Sequence, residues 1–299
     1  MKTLKISGIQ YIIMLCYLIV TKTNIMPERN RLMDLKDIQT ALQQKKAFIS
    51  DMDGVVYHGS RLLPGAAAFV QYLLENKKDF LFLTNSSERT PKELSAKLAR
   101  LGIDVGEEHF YTSALAAADF LSRQKENCSV FAIGEAGLYN ALYEKGITMN
   151  DVNPDYVVVG ETRTYSYERI EKAVRLVLAG AKLVGTNPDM TGPAEQGIVP
   201  ATGALIAPIE LATGKKAYFA GKPNPFMMRR AVKKLEAKSC ETVIVGDRMD
   251  TDIVAGVEAE VDTVLVLSGV TAKEDLHKFA YTPKYVLRGL DELTDILKG

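Results

Sequence analysis

The sequence predicts an α/β fold in which parallel strands are covered by helices on both faces. Three observations lead there. From Asp34 onward, short apolar runs alternate with amphipathic helical stretches, the pattern of strand–helix–strand crossovers. Three of those runs end in polar residues, at Asp51, Thr84 and Asp247, so one rim of a sheet would collect them. The chain, at 299 residues, is long enough for one large or two modest domains.

The elements follow in order. Residues 35–44 read as an amphipathic helix and 47–51 as the first buried strand. Pro64-Gly65 opens a helix that runs to residue 76, with proline near the first turn, where its missing N–H costs nothing. Residues 79–84, with Phe-Leu-Phe-Leu inside, form the second buried strand. Thr90-Pro91-Lys92-Glu93 is a helix start: a capping residue, proline at the first position and an acid in the first turn. A helix over 113–123, a strand over 129–133, a helix over 136–145 and a strand over 156–159 come next. A longer helix over 167–179 leads to a strand over 182–185. The Gly- and Pro-rich stretch 186–200 is read as a loop before a helix over 203–213. The last third repeats the rhythm with a run at 217–220, a helix from Asn224, a strand over 241–245, a helix from Asp250 and a strand over 263–267.

Composition narrows the function classes. Apolar content of 47% with 25% charged residues is ordinary for a globular protein. Lys plus Arg and Asp plus Glu both total 37, so no global field draws a nucleic acid polymer or an acidic membrane. An anionic substrate must be attracted locally. Cys16, Cys128 and Cys240 lie far apart with no ligand spacing, which fits a reducing, cytoplasmic compartment and not a disulfide framework or zinc site. Residues 1–33 stand apart: Lys2 and Lys5 precede an apolar run over 6–20 with no small-x-small cleavage site after it. That run is shorter than the ~20 residues that span a bilayer. Met26 and Met33 make an upstream start assigned in error the first expectation, with an uncleaved anchor or signal as the alternative. The oligomeric state is left open, a homo-oligomer included.

Four segments carry chemistry. In Ala47-Phe48-Ile49-Ser50-Asp51-Met52-Asp53-Gly54, an apolar run ends in two carboxylates spaced i, i+2. A strand ending this way delivers both acids to one rim, where their repulsion calls for a cation or a proton. One acid can act as nucleophile against a metal ion while the other handles a proton; an acidic turn is the bland alternative. Thr84-Asn85-Ser86 follows the second strand and can donate to phosphoryl oxygens, although such residues commonly just make a turn. Gly221-Lys222-Pro223-Asn224-Pro225 places a lysine before a capped helix, as a fixed cation or a solvated one. Last, Val243-Ile244-Val245-Gly246-Asp247 ends a buried strand in Gly-Asp, with Asp250 and Asp252 beyond. Asp247 is the natural Mg²⁺ ligand, Asp252 a residue that orients Asp247, Lys222 or a metal-bound water, and Asp250 a helix cap.

In this order and spacing, the four segments resemble the haloacid dehalogenase-like phosphatases, and within them the type IIA capped branch of NagD-like nucleotidases and 4-nitrophenylphosphatases. The resemblance implies a Rossmann-like parallel-sheet core over 34–123 and 216–299, interrupted by an inserted α/β cap over 124–215. It implies Asp51 as nucleophile and Asp53 as general acid/base. Gly54, Thr84, Asn85 and Lys222 would bind phosphate. Mg²⁺ would be held by Asp51, Asp247 and the Asp53 backbone carbonyl, with Asp252 in support. The substrate would be a small phosphorylated metabolite, a nucleoside monophosphate or a sugar or glycerol phosphate. Asn187 and Asp189 are the cap's candidates for substrate contact, with an Asn-Pro-Asp turn as the plainer reading. His58 is expected to be an incidental flap residue. Two rivals remain open at this stage: phosphotransfer to a sugar on the same fold, and a non-catalytic phospho-acceptor domain.

Overall fold

The structure is a computed structural model that describes residues 35–194 and 197–299. The expectations placed on residues 1–33 lie outside the described residues. Residues Gln39–Gly299 form one compact unit. No helix among the described residues is long and apolar enough to cross a membrane.

The strands in chain order are β1 (Ala47–Ser50), β2 (Tyr57–His58), β3 (Arg61–Leu62), β4 (Asp79–Thr84) and β5 (Phe110–Thr112). Then come β6 (Ser129–Ile133), β7 (Thr148–Met149), β8 (Tyr156–Val159), β9 (Lys182–Gly185), β10 (Thr191–Ala194), β11 (Gly197–Pro200) and β12 (Tyr218–Phe219). The last are β13 (Thr242–Gly246), β14 (Asp262–Val266) and β15 (Tyr285–Leu287). Six of them make one sheet in the order β15-β14-β13-β1-β4-β5, with every pair parallel. Five make a second parallel sheet, β12-β9-β8-β6-β7. The predicted α/β class with parallel strands is therefore observed.

Burial shows why these runs are strands. Every residue of β1, β8 and β13 is buried, the near-continuous apolar run that a two-sided parallel sheet requires. On β8, Val158 packs with Val130, Leu138 and Leu142, while Val157 and Val159 pack with Leu176 and Ile206 on the opposite face. Each such fully buried Val or Leu contributes ~1.5–3 kcal/mol. The helix Pro91–Arg100 begins as its sequence predicts: the Thr90 hydroxyl accepts from Glu93 N–H, and the Glu93 carboxylate accepts from Thr90 N–H. Between the two sheets, buried Asp119 accepts from the Tyr111 hydroxyl at 2.9 Å and pairs with Lys145 at 2.7 Å and Arg230 at 3.3 Å.

Some expectations change. The loop predicted over 186–200 contains an antiparallel hairpin, β10–β11. Its prolines, Pro193 and Pro200, obscured it, yet a two-stranded ribbon has outward positions that need no N–H. The helix expected from Asp250 starts as a π-helical turn, Met249–Ile253, before Val254–Glu258. Strands β5 and β15 were not foreseen, because three-residue strands carry too little period to read; the nine-residue helix Leu290–Lys298 was also missed, although Leu290, Leu293 and Leu297 mark its buried face.

The chain builds β1, β4 and β5 outward in one direction, then returns to β13, β14 and β15 on the other side of β1. The order reverses between β1 and β13. A crevice opens at the carboxyl ends of strands at such a point.

Candidate active site

Asp51 follows β1, Asp247 follows β13 and Thr84 ends β4, so all three stand on the same carboxyl rim. The Asp51 N–H donates to Val245 O at 2.8 Å, which extends the ladder by one residue and sets Asp51 beside the end of β13.

Lys222 anchors the cluster. Its ammonium donates to Asp51 Oδ1 at 2.7 Å, to Asp252 Oδ1 at 2.7 Å and to Leu83 O at 3.0 Å. All three donors of a lysine are thereby used. The side chain is 2% exposed, and burial alone would lower its pKa, but the charges of Asp252 and Asp51 outweigh burial and raise it. It is cationic at any working pH. Burial raises Asp252 to about 6, against the pull of Lys222. The Asp252 carboxylate also accepts from Arg248 N–H at 3.2 Å.

Asp247 is the unsatisfied member. Its Oδ2 accepts from Val270 N–H at 2.7 Å, while its buried Oδ1 has no partner. Burial, then Asp51 and then Asp252, push its carboxyl up to about 8. Oxygens of Asp51, Asp247 and Asp252 all lie within 4.8 Å of one another. Three hard oxygen donors around an orphaned, buried carboxylate oxygen fit a divalent cation such as Mg²⁺. The packing is close enough that a Cβ on Gly54 would come 2.5 Å, and one on Gly269 2.0 Å, from Asp247 Oδ2. Gly54 also has φ +83, which a side chain would strain.

Asp53 lies in the turn after β1 and is half-buried. Burial raises its carboxyl above the ordinary range, although Lys97, the Tyr57 hydroxyl, Arg89 and His58 all pull it down. A carboxyl whose charged form burial disfavours holds its proton more readily and can deliver it to a departing oxygen.

The other residues singled out in the sequence fall in two groups. Thr84 lines the cavity, with its hydroxyl accepting from Ser86 N–H at 3.1 Å. The Asn85 side chain is already committed: Nδ2 donates to Asp189 Oδ2 at 2.8 Å and Lys222 O at 2.9 Å, and Oδ1 accepts from Lys222 N–H at 2.8 Å. The Gly54 N–H is likewise bonded, to Tyr57 O at 2.9 Å. Asn187 is fully buried and donates to Asn85 O at 2.8 Å, while Asp189 reaches the cavity and pairs with Arg248 at 3.4 Å. His58 sits exposed on the β2–β3 hairpin at the cavity's edge.

The cavity over this rim has a volume of about 1170 Å³ and is walled by the β2–β3 and β10–β11 hairpins and by the helix Pro91–Arg100. Sequence reasoning missed several of its residues. Tyr57 and Lys97 approach Asp53, and the Lys97 ammonium stands 3.4 Å from the centroid of the Tyr57 ring. Glu161 accepts from Ser87 N–H at 2.7 Å, and its own N–H donates to Ser87 Oγ at 3.0 Å. Tyr57 lies only four residues beyond Asp53 and reads as an ordinary hairpin residue, Lys97 reads as one of several helix lysines, and the partner of Glu161 lies 74 positions away at Ser87.

Comparison with known proteins follows the same lines. Residues 48–148 match the family model of haloacid dehalogenase-like hydrolases, and residues 219–293 match a second, HAD-hydrolase-like model. The chain is 45% identical over 249 residues to a dihydroxyacetone phosphatase of Corynebacterium glutamicum, covering 83% of this chain and 90% of the relative. It is 43% identical over 248 residues to the ribonucleotide monophosphatase NagD of Escherichia coli, covering 83% and 98%. A 4-nitrophenylphosphatase from Thermotoga maritima superposes with a TM-score of 0.82 at 35% identity, covering 86% of this chain and 99% of that one.

Proposed function

The chain belongs to the haloacid dehalogenase-like hydrolases as a NagD-like phosphatase of phosphomonoesters, and from that premise we propose a two-step mechanism that proceeds through a phosphorylated Asp51. The observation that carries the reading is the meeting of Asp51, Asp247, Asp252 and Lys222 on one rim.

The free oxygen of the Asp51 carboxylate attacks phosphorus, and the bond from phosphorus to the ester oxygen breaks. Asp53 gives its proton to the departing oxygen, then takes one from the water that attacks phosphorus in the second step. Phosphate leaves and Asp51 is restored. The Thr84 hydroxyl, which accepts from Ser86 N–H and so can donate outward, holds a phosphoryl oxygen, while the Lys222 ammonium, its N–H groups taken by Asp51, Asp252 and Leu83 O, offsets by its charge the negative charge that gathers on the phosphoryl group. Asp252 keeps the Lys222 ammonium aimed at Asp51, as their shared 2.7 Å contacts support. Asn85, which the sequence assigns to phosphate, offers its backbone there, because its amide joins Lys222 to Asp189. Gly54 acts through its close approach to Asp247, since its N–H is occupied. Asp51, Asp247 and the Asp53 carbonyl would hold Mg²⁺, which supplies positive charge to offset that of the phosphoryl oxygens.

The two sheets favour a division into a core and an inserted cap, but β12 (Tyr218–Phe219) pairs with β9 of the cap's sheet, so the expected return to the core at 216 moves to after residue 219. The cap's β10–β11 hairpin and Asp189 face the leaving group, while Asn187 ties cap to core. Small phosphorylated metabolites, nucleoside monophosphates among them, suit a cavity of this volume, and the cysteine pattern agrees with a cytoplasmic setting.

The test is phosphate release across a monoester panel with Mg²⁺ and with chelator, joined to mass spectrometry of the quenched enzyme. The expected result is Mg²⁺-dependent release and a transient phosphate adduct on Asp51. Turnover that survives Asp51→Asn sinks the covalent route.

A further inference from the structure

The cavity carries cations that the hydrolytic machinery does not use. Lys222 is occupied by Asp51 and Asp252, Arg248 by Asp189 and Asp250, and Arg163 faces Glu88 at 4.0 Å. Arg89, Lys97 and Arg100 also line the cavity, yet among the described residues none of the three makes an ion pair. They crowd one another: burial, and then the charges of Arg89 and Arg100, lower the Lys97 pKa, with only Asp53 opposing. The acids of this wall are already engaged, Glu88 by Arg163 and Glu161 by Ser87.

The cluster is held in place. The Thr90–Glu93 capping box fixes the start of the helix Pro91–Arg100, and Lys97 and Arg100, three apart, share a face of it. The Gly137 N–H donates to Glu88 O at 2.9 Å, and a Cβ on Gly137 would come 2.6 Å from Arg89 O, so the backbone beside Arg89 is pinned by the second sheet's helix. The Lys97 ammonium rests on the Tyr57 ring, 3.4 Å from its centroid. Cations gathered along a concave wall, none of them in an ion pair among the described residues and with Asp53 the acid set against them, form a site for an anion.

Position says which anion. The phosphoryl group belongs with Asp51 and Lys222. Asp53 protonates the departing oxygen, so groups that act on Asp53 face the leaving group, and Lys97 and Arg89 are two of these. We infer that this enzyme is built for monoesters whose leaving group carries a second anion, a carboxylate or a second phosphate, received by Arg89, Lys97 and Arg100. The inference rests on the phosphatase reading and narrows its substrate class.

Two substrate pairs test it. The carboxylate arm compares 3-phosphoglycerate with glycerol 3-phosphate, and the phosphate arm compares fructose 1,6-bisphosphate with fructose 6-phosphate. In at least one arm the wild type should favour the doubly anionic member at least tenfold in kcat/KM, and the arm that does so names the anion. In Arg100→Gln and Arg89→Gln that ratio should fall toward one through KM. Arg100 is exposed, so its variant keeps the fold. A wild-type ratio near one in both arms, or a ratio that neither variant moves, overturns the inference and leaves the phosphatase reading standing. If no monoester is hydrolysed, the phosphatase reading fails, and calorimetry with phosphonoacetate against methylphosphonate decides the site alone. Tighter phosphonoacetate binding that Arg100→Gln abolishes supports it, and equal binding overturns it.

Discussion

Lys222 and Asp252 form an ion pair shut away from solvent, with atoms 2.7 Å apart and side chains 2% and 0% exposed. Removing one partner of such a pair leaves the other charge buried and alone, at a cost of ~3–5 kcal/mol. Lys222→Met should lower the denaturation midpoint accordingly and reduce kcat sharply. Lys222→Met combined with Asp252→Leu should recover much of the stability and none of the activity. Urea unfolding together with phosphate release separates the two effects. A single variant as stable as the wild type contradicts the pairing.

Asp53→Asn removes the proton donor but not the nucleophile. Turnover of alkyl esters should fall ~10²–10⁴-fold, the usual share of general acid catalysis. 4-Nitrophenyl phosphate, whose leaving group needs no proton, should lose far less in the first step. Parallel kcat/KM measurements check this, and an equal loss on both substrates removes the assigned role.

Asp247 makes the metal-free protein sensitive to pH. Its carboxyl is raised from 3.8 to about 8 by burial and by Asp51 and Asp252, so the folded state holds a proton that the unfolded chain releases. The associated stability is present below pH 3.8 and is lost as pH rises toward 8. With chelator present, Asp247→Asn should flatten that decline. Mg²⁺ should raise the melting temperature of the wild type, by an amount equal to ~2.7 kcal/mol at 100 times its Kd. The same titration should leave Asp247→Asn unmoved, which scanning calorimetry can read directly.

Glu161 gives a second, independent window. Burial lifts it from 4.5 to about 7, against the Ser87 N–H that it accepts. Its contribution is complete below pH 4.5 and fades as pH climbs to 7. Glu161→Gln keeps an acceptor for Ser87 and cannot ionise, so its urea midpoint should be higher than the wild type's at pH 8 and similar at pH 5. An identical pH slope in both proteins rules out Glu161 as the source.

The strands that carry Asp51, Thr84 and Asp247 were legible because a buried parallel strand is an apolar run with an abrupt polar end. The cluster around Lys222 was legible as well, since four short motifs fall at strand ends. What the sequence concealed was the prior commitment of donors. Asn85 looks free to meet phosphate until the loop bearing Asp189, 104 positions later, takes its amide. The Gly54 N–H is likewise taken by a turn of its own strand end. Lys97 and Tyr57 escaped because each reads as an ordinary residue of a helix or a hairpin, and only tertiary packing turns them toward Asp53. The β10–β11 hairpin was hidden by prolines that argue against strands wherever both edges must pair.

The placement of Lys222 also bears on how the molecule comes into being. It lies 171 positions after Asp51, and the chain between them must be made before the two can touch. At a ribosomal pace of ~5–20 residues per second, the nascent polypeptide waits roughly 10–30 s between emergence of the first acid and arrival of its counter-ion. During that interval β1 has β4 on one flank and nothing on the other, an unzipped edge facing the crowded cell. Whatever escorts the newborn chain must shield that edge until β13 arrives to close it.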